Sequence, residues 1–307
     1  MKVVSLCGGV GGAKLAAGLH DVLAPGELTV IGNVGDDLEI LGLRVSPDLD
    51  SVLYGLAALN DAERGWGRKG ETWEALESAR SWGGEGWFML GDRDLGLHLV
   101  RTQALRDGES LSGITARLVL AAGLETRLLP ATDDRLRTRL VTPSGTFAFQ
   151  EWFVARSHED EVDALIYEGA DASRPAPGVI EAIEGADAIV IAPSNPFVSI
   201  HPILAVPGIR AAIEARGARC VAVSPLIGGR AVRGPLDRMM HRLLGGTTPA
   251  LVTMCYKGLI DALVIDAADE AAETDGAVVV TDTLMNDREA ARRLAATTLE
   301  VAMEIPS

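Results

Sequence analysis

The sequence predicts an α/β fold with a doubly wound, mostly parallel sheet. Short apolar runs of strand length recur along the chain, and most are followed by a turn and then by a helical pattern. This alternation is typical of Rossmann-like folds, in which helices cover both faces of a parallel sheet. Several of the turns are also rich in glycine, serine or asparagine. The predicted strands are Val3–Cys7, Leu28–Gly32, Ala186–Ala192, Arg219–Val223, Ala262–Ile265 and Ala277–Val280.

Composition limits the classes of function. The chain has 307 residues, with 28 Lys and Arg against 43 Asp and Glu, so its formal charge is −15. An acidic surface and an aromatic content of 4% argue against nucleic-acid binding. The 3 cysteines are widely spaced, and the apolar runs fall short of the ~20 residues of a membrane span. We therefore expect a cytoplasmic protein that binds neither nucleic acid nor membranes.

A glycine-rich turn, Gly8–Gly12, follows the first strand, and Lys14 comes two residues later. It is not a Walker loop, since Ala13 precedes the lysine, and Lys14 takes the place of the third glycine of a dinucleotide fingerprint. Glycines nevertheless let backbone N–H groups approach an anion at a helix N-terminus. The turn is also consistent with a tight strand-to-helix connection alone. We predict phosphate binding by Gly9, Gly11, Gly12 and Lys14.

Two acidic groups follow the second strand. Asp36 and Asp37 come shortly after it, and Asp48 and Asp50 precede a predicted helix. Taken alone, Asp50 is consistent with a helix N-cap and Asp48 with a turn. Near a phosphate loop they favour a magnesium site, because Mg²⁺ prefers oxygen ligands and bridges to phosphates. We predict that Asp36, Asp37 and Asp50 are catalytic and bind Mg²⁺, one of them accepting the proton of an attacking hydroxyl.

The helical patterning changes between residues 51 and 124, where no convincing strand is found. We interpret residues 51–124 as a helical insertion and residues 1–50 and 125–307 as the nucleotide-binding core. We expect the tryptophans of the insertion to fill a helical core, because aromatic side chains usually contribute by buried area. These tryptophans are Trp66, Trp73, Trp82 and Trp87.

Charged residues cluster between glycines inside the insertion, where Asp92 and Asp94 flank Arg93. The cluster is consistent with a surface ion pair, or with an arginine that carboxylates orient toward a ligand anion or hydroxyl. His98 is a minor candidate in the same segment.

Downstream of the insertion, a short β segment is predicted over Arg139–Val154, with a hairpin turn at Thr142–Gly145. Two later strands end in the loops Pro193–Pro196 and Ser224–Arg230. Each loop alone is consistent with a simple connection or cap. Together they favour one long cleft for a nucleotide-like ligand, since such sheets bind ligands at the carboxyl ends of their strands. The residues predicted to bind nucleotide or phosphate here are Ser194, Asn195, Ser224 and Gly228.

These segments together resemble the 2-phospho-L-lactate transferases of coenzyme F-420 biosynthesis. The resemblance spans nearly the whole chain in order. Small departures are Cys7, where a small polar residue is expected, and Arg230, where lysine is usual. The matching segments are Gly8–Lys14, Asn33–Asp37, Pro47–Tyr54, Gly65–Gly67, Glu71–Trp73, Leu90–Leu95, Phe149–Trp152, Ala192–Pro196, Ser224–Gly229 and Thr281–Met285.

The resemblance implies a homodimeric transferase with a doubly wound core, whose helical insertion forms part of the deazaflavin site. Such an enzyme moves a phospho-acyl unit (lactyl, enolpyruvyl or glyceryl phosphate) from a guanosine diphospho-donor to the deazaflavin alcohol Fo. It releases GMP and requires Mg²⁺. The resemblance places Asp50 and Arg93 against the deazaflavin, and we add the neighbouring Asp92.

Two other functions are considered. Related bacterial regulators share the glycine-loop core and bind nucleotide sugars without known turnover, so a non-catalytic sensor is the main alternative. The segments around Asp50, Arg93 and Gln150 match the transferase pattern instead. An NAD-dependent oxidoreductase is disfavoured by the incomplete dinucleotide fingerprint.

Overall fold

The computed structural model describes residues 1–269 and 277–304. No helix within these ranges is long and apolar enough to cross a membrane. Its strands, in chain order, are β1 Val3–Cys7, β2 Leu28–Gly32, β3 Leu38–Ile40, β4 Leu43–Val45, β5 Arg127–Pro130, β6 Arg137–Thr142, β7 Gly145–Ala148, β8 Ala164–Glu168, β9 Ala188–Ile191, β10 Arg219–Val223, β11 Leu226–Ile227, β12 Arg230–Ala231, β13 Ala262–Asp266 and β14 Ala277–Thr281.

The α-helices in chain order are α1 Gly9–Val22, α2 Pro47–Leu56, α3 Glu74–Ser81, α4 Asp92–Arg106, α5 Leu111–Ala121, α6 Val179–Glu184, α7 His201–Leu204, α8 Ile209–Glu214, α9 Leu236–Leu244, α10 Pro249–Cys255 and α11 Arg288–Glu304. Two short segments are π-helical, Glu151–Ala155 and Pro196–Ile200, and Ala170–Ala172 is a 3₁₀ turn.

A seven-stranded parallel sheet in the order β14-β13-β10-β9-β1-β2-β5 forms the centre of the fold. The strands β1, β2, β9 and β13 are buried along their whole length, as continuous apolar runs in a parallel sheet predict. The doubly wound α/β fold and its predicted strands are confirmed. The chain adds strands in one direction from β1 to β5 and in the other from β9 to β14, so the direction reverses between β1 and β9.

Two smaller β structures differ from the prediction. The β3–β4 hairpin was not predicted, and its turn needs positive φ at Leu41 and Gly42. The hairpin predicted at Thr142–Gly145 is confirmed, because β6 pairs with β7 there and with β8 on its other side. The predicted β segment is too long, however. It ends at Ala148, and the backbone then enters the π-helical segment Glu151–Ala155.

The tryptophans of the insertion do not fill a helical core, so that prediction is wrong. Trp82 is 88% exposed and Trp66 is 42% exposed, while Trp73 and Trp87 are half-buried. The fully buried tryptophan is Trp152, which lies outside the insertion. Helix α3, which directly follows Trp73, is short and buries only Leu76, so it offers little apolar surface for indole rings.

The glycine turn after β1 is shaped by close packing. A methyl group at Gly11 would lie 2.6 Å from the backbone oxygen of Pro193, in the loop that follows β9. At Gly12 it would lie 2.7 Å from the sulfur of Cys7 and 2.5 Å from Oγ of Ser194. These glycines allow helix α1 to approach the neighbouring loop at the point where the direction of the sheet reverses.

We expect Gly11→Ala to lower the free energy of unfolding by roughly 1–3 kcal/mol, since the methyl group meets a backbone oxygen that cannot move freely. Gly96→Ala in α4 is the control, because no atom lies within 4 Å of the added methyl group. It should gain roughly 0.5–1 kcal/mol from helix propensity. Denaturant unfolding of both variants measures the difference. Equal stability of Gly11→Ala and wild type would contradict the close approach.

Candidate active site

A cavity of about 590 Å³ lies at the carboxyl edge of the central sheet. Its walls include Gly9 after β1, Asp36 after β2, Ser194 after β9 and Ser224 after β10. This edge includes the point between β1 and β9 where strand order reverses, which is where open α/β sheets bind ligands. Segments of the helical insertion complete the walls. Loops that are far apart in the sequence therefore converge on one site.

Asp48 joins the glycine turn to the loop after β2. One carboxylate oxygen accepts the N–H of Gly9 at 2.7 Å, and the other accepts Nδ2 of Asn33 at 2.8 Å. Gly9 has a φ of +65°, a conformation that favours glycine, and this aims its N–H at the carboxylate. The first N–H of α1 is thus occupied by a carboxylate of the protein. Asp48 is in the first turn of α2, not in a turn between elements.

Asp36 and Asp48 form a buried acidic pair on the cavity wall. Both side chains are about 95% buried. Burial, followed by the charge of Asp48, raises the pKa of Asp36 well above its usual range. Burial raises the pKa of Asp48 to about 6, although bonds from Asn33 and Gly9 act in the opposite direction. Oδ1 of Asp36 has no hydrogen-bond partner among the described residues. The pair is therefore costly to ionise unless a cation joins it.

Asp37 is half-buried beside this pair but does not line the cavity. Its Oδ2 accepts the hydroxyl of Ser46 at 2.9 Å, and its Oδ1 has no partner among the described residues. Burial raises its pKa to about 7 against the opposing charge of Arg137. Asp36 and Asp37, adjacent in sequence, therefore face different surroundings.

Asp50 lines the cavity and is paired from behind by a buried arginine. Both terminal nitrogens of Arg101 donate to the two carboxylate oxygens, one of them at 3.0 Å. Arg101 is 1% exposed, and the ring of His98 lies 3.8 Å from Asp50. Burial lowers the pKa of His98 to about 4, so this histidine is neutral at pH 7. The N-cap interpretation of Asp50 is wrong, because α2 begins at Pro47 and Ser46 is its N-cap.

The three charged residues clustered in the insertion, Asp92, Arg93 and Asp94, have different surroundings. Asp94 lines the cavity, accepts the hydroxyl of Tyr54, and has its pKa raised by burial to about 6. Asp92 does not line the cavity; it accepts the hydroxyl of Thr72 and backbone N–H groups at the start of α3. Arg93 is exposed and is not among the cavity-lining residues. Its own N–H donates to Glu71 at 2.7 Å.

The cavity also has a cationic side. Lys14 donates to the backbone oxygen of Met285 at 2.6 Å, and burial followed by the charge of Arg233 lowers its pKa. Arg233 lines the cavity and donates to the backbone oxygen of Arg64 at 3.3 Å. Neither cation forms an ion pair with a described carboxylate. Two cations held close together without an acidic partner favour binding of an anion.

The remaining predicted nucleotide residues have local structural bonds. The hydroxyl of Ser194 donates to the backbone oxygen of Gly8 at 2.7 Å, and that of Ser224 accepts the N–H of Leu226 at 3.2 Å. Oδ1 of Asn195 accepts the N–H of Phe197 at 3.0 Å. These three residues line the cavity, together with Gly9, Gly11 and Lys14. Gly12 and Gly228 do not; Gly228 is in the β11–β12 turn with a φ of +58°.

A magnesium ion fits part of the predicted ligand set. The described residues contain no group of three or more His, Cys, Asp or Glu positioned as a metal cage. Mg²⁺ is commonly held by only one or two carboxylates together with substrate phosphates. The unpartnered oxygen of Asp36 beside Asp48 meets this requirement. Asp50 fits less well, since the cation Arg101 already neutralises its charge, whereas the partners of Asp48 are uncharged.

Sequence reasoning did not select several residues that form this site. Asp48 belongs to the acidic groups that favour a magnesium site, but the predicted ligands do not include it, and Asp94 is only one charge of a predicted cluster. Arg101 had a usable signal, because it lies one helical turn after His98 and so shares its face of α4. Arg233 follows a predicted glycine loop, and a cation there is a reasonable phosphate ligand.

Comparisons with known proteins show the family to which the chain belongs. The family model described as 2-phospho-L-lactate transferase CofD matches residues 3–303. A phosphoenolpyruvate transferase of Kitasatospora aureofaciens is 45% identical, covering 99% of each chain. Another of Mycolicibacterium smegmatis is 38% identical, covering 98% of this chain and 99% of its own. A crystal structure of a UPF0052 family protein from Bacillus halodurans matches with a TM-score of 0.63 and 18% identity, covering 97% of this chain and 99% of its own. The last similarity supports the fold alone.

We expect Asp36→Asn to stabilise the unliganded protein at pH 8. The pKa of Asp36 is raised on folding, so the folded state binds more protons than the unfolded state and stability falls as pH rises. Removing the charge should raise the free energy of unfolding by on the order of 1 kcal/mol and flatten its decrease between pH 5 and 8. Unfolding curves at several pH values measure both effects.

Asp171→Asn is the matched control, because Asp171 is exposed and away from the cavity. It should leave the pH dependence unchanged. If Asp36→Asn is less stable than wild type at pH 8, the buried acidic pair is not under the electrostatic strain described above.

Proposed function

Since the chain belongs to the 2-phospho-L-lactate transferase CofD family, we propose that it transfers a phospho-acyl unit from a guanosine diphospho-donor to the deazaflavin Fo and releases GMP. The relatives named phosphoenolpyruvate transferase favour enolpyruvyl phosphate as the transferred unit over the lactyl and glyceryl alternatives. The homodimer and the cytoplasmic location that the sequence predicts stay predictions.

One observation carries the proposal. A single cavity contains two cations, Lys14 and Arg233, that have no acidic partner within residues 1–269 and 277–304, and a set of buried carboxylates that includes Asp36 and Asp48. Phosphoryl transfer needs positioned phosphates and neutralised charge more than covalent help from the protein. Cations hold a diphosphate directly, whereas paired carboxylates hold it through a divalent ion. A hydrolase nucleophile or a redox cofactor is not required for this chemistry.

The bond changes follow from the substrates. The terminal ribityl oxygen of Fo forms a bond to the phosphorus that bears the organic acid, and the bond from that phosphorus to the oxygen of GMP breaks. GMP leaves with the electron pair, and the hydroxyl proton passes to a carboxylate. Asp94 is suited to accept it, because its pKa of about 6 makes it mainly ionised at pH 7. Asp50, fixed by Arg101, is suited to orient the hydroxyl as a hydrogen-bond acceptor.

We propose that Asp36 and Asp48 hold Mg²⁺, which would neutralise charge on the diphosphate. The sequence prediction also included Asp37 and Asp50 as metal ligands or catalytic groups. Asp37 does not line the cavity, so it supports the site indirectly in our proposal. Asp50 is paired with Arg101, so in our proposal it orients the hydroxyl and does not bind the metal. Arg93 and Asp92 stay predicted deazaflavin contacts on the resemblance alone.

The direct test is incubation with Fo, Mg²⁺ and each of the three guanosine donors, followed by identification of products by mass. We expect GMP and a phospho-acyl Fo product with the enolpyruvyl donor, and loss of turnover after thorough chelation. Product without divalent metal would contradict the magnesium proposal. Nucleotide binding without any turnover would favour the sensor alternative.

Removing either cation should weaken binding of the donor's diphosphate. We expect Lys14→Met and Arg233→Gln each to reduce GDP affinity about tenfold, with a smaller salt dependence, because each loses a charge-assisted hydrogen bond. Calorimetric titration measures both. Arg230→Gln is the control, since Arg230 is exposed on β12 and does not line the cavity. If Arg230→Gln lost as much GDP affinity as Arg233→Gln, the effect would come from general surface charge and the proposed contact would be wrong.

A further inference from the structure

Gln150 has an unused carboxamide at the cavity. The residue lines the cavity and is only 8% exposed. Its side chain forms no hydrogen bond with any residue of the ranges 1–269 and 277–304. The nitrogen and oxygen of its side-chain amide are nevertheless not fully enclosed, and both keep some accessible surface. A buried amide that opens only to a cavity has a donor and an acceptor available for a ligand.

Aromatic rings stand beside this amide. The rings of Phe149 and Phe153 are stacked, with centroids 5.3 Å apart and planes 12° apart. The ring of His158 continues the stack at 5.0 Å and 22° from Phe153. All three residues line the cavity and are half-buried. We call Phe149, Phe153 and His158 the ring stack. A planar ligand that enters the cavity here meets aromatic surface, which favours stacking.

The segment that carries the amide and the ring stack is held in an unusual backbone conformation. Residues Glu151–Ala155 are π-helical, and Ser157 and His158 have φ values of +52° and +46°. Buried Trp152 fixes the segment, because its backbone oxygen accepts the N–H of His158 at 2.8 Å and its indole donates to Asp160. An unfavourable backbone conformation of this kind persists where the surrounding structure holds it in place, and such sites are often functional.

A carboxamide next to a stacking surface matches one chemical pattern. Its oxygen and NH₂ pair with a carbonyl that adjoins a ring N–H, which is the lactam edge of a planar heterocycle. Both proposed substrates have such an edge, one on guanine and one on the pyrimidinedione ring of the deazaflavin. Adenine has no lactam edge. A carboxamide held in the orientation that suits a lactam edge disfavours the amino group and ring nitrogen of adenine, with which it would pair only after turning over.

We propose that Gln150 determines ring specificity by pairing its carboxamide with the lactam edge of a planar substrate ring that packs on the ring stack. This inference rests on the proposed function for the identity of the substrates. It adds a residue and a contact that neither the family resemblance nor the catalytic proposal supplies. Gln150 is a binding residue in this view and takes no part in proton transfer.

The experiment titrates GDP, ADP and Fo separately into wild type, Gln150→Met and Gln150→Glu, by calorimetry for nucleotides and by fluorescence for Fo. Methionine keeps the length of the side chain and removes both hydrogen-bonding groups. If the amide contacts guanine, Gln150→Met should lose at least tenfold in GDP affinity and most of its preference for GDP over ADP, while Fo affinity is kept. If it contacts the deazaflavin, Fo affinity should fall at least tenfold while GDP affinity is kept.

Gln150→Glu separates the two rings further. If the amide contacts guanine, GDP affinity should be kept, because a carboxylate accepts the two adjacent N–H donors of that ring, and Fo affinity should not change. If the amide contacts the deazaflavin, Fo affinity should fall, because a carboxylate is repelled by the two carbonyls that flank the pyrimidinedione N–H, and GDP affinity should not change. A selective loss of GDP affinity or a selective loss of Fo affinity supports the proposal. The ligand that still binds shows that the variant is folded.

Gln103→Met is the matched control, because Gln103 is exposed, does not line the cavity and bonds only to Asp107 on its own helix. It should bind all ligands as wild type does. The proposal is overturned if both Gln150 variants bind GDP and Fo as tightly as wild type. If wild type itself binds neither GDP nor Fo, the proposed function is wrong, which is a different outcome from unchanged binding by the variants.

Discussion

The carboxylate of Asp48 fixes the relative positions of the three segments that define the cavity. Its bonds to Gly9 and Asn33 connect the turn after β1, the loop after β2 and the first turn of α2. Asn33 extends the connection, since its Nδ2 also donates to the backbone oxygen of Val198 in the π-helical segment after β9. A methyl group at Gly8 would lie 2.6 Å from the Asp48 carboxylate, so the close contact requires glycine there. The loops around the strand-order reversal are thus held by one buried acid.

This arrangement has an electrostatic cost that a ligand can relieve. The helix N-terminus of α1 would attract an anion, yet its first N–H is given to Asp48, and Asp36 lies close enough to raise the cost of ionising both. Burial and mutual repulsion raise the pKa values of this pair, so the unliganded protein keeps a proton there to a higher pH than exposed aspartates would. A divalent ion would replace that proton and turn an unfavourable group into a binding site for phosphate. The acids and the cations Lys14 and Arg233, which form no ion pair with any carboxylate in the described part of the chain, are then complementary parts of one site.

The sequence was most informative where burial decides structure. Apolar runs such as Val3–Cys7 predicted the strands, because a strand covered on both faces is apolar at most of its positions. Strand-end loops predicted where residues such as Lys14 and Ser194 would meet, since parallel strands end at one edge. Pairing across the fold was not predictable: the sequence does not show that Arg101 reaches Asp50 from another helix. Trp66 shows a further limit, because hydrophobicity alone does not distinguish a core ring from one at a cavity mouth.

The pairing of Asp50 with Arg101 also argues against treating the insertion as an independent domain. The predicted boundary at residue 50 falls inside α2, a helix that packs on α1 and on the central sheet. Asp50 therefore belongs to the core by backbone, whereas Arg101 and His98 belong to α4 of the insertion. An ionised carboxylate without its buried partner is strongly destabilising, so the cavity wall at Asp50 depends on α4. Because α4 also supplies Asp94 to the same cavity, the insertion contributes charged residues to the cavity wall and does not merely cover it.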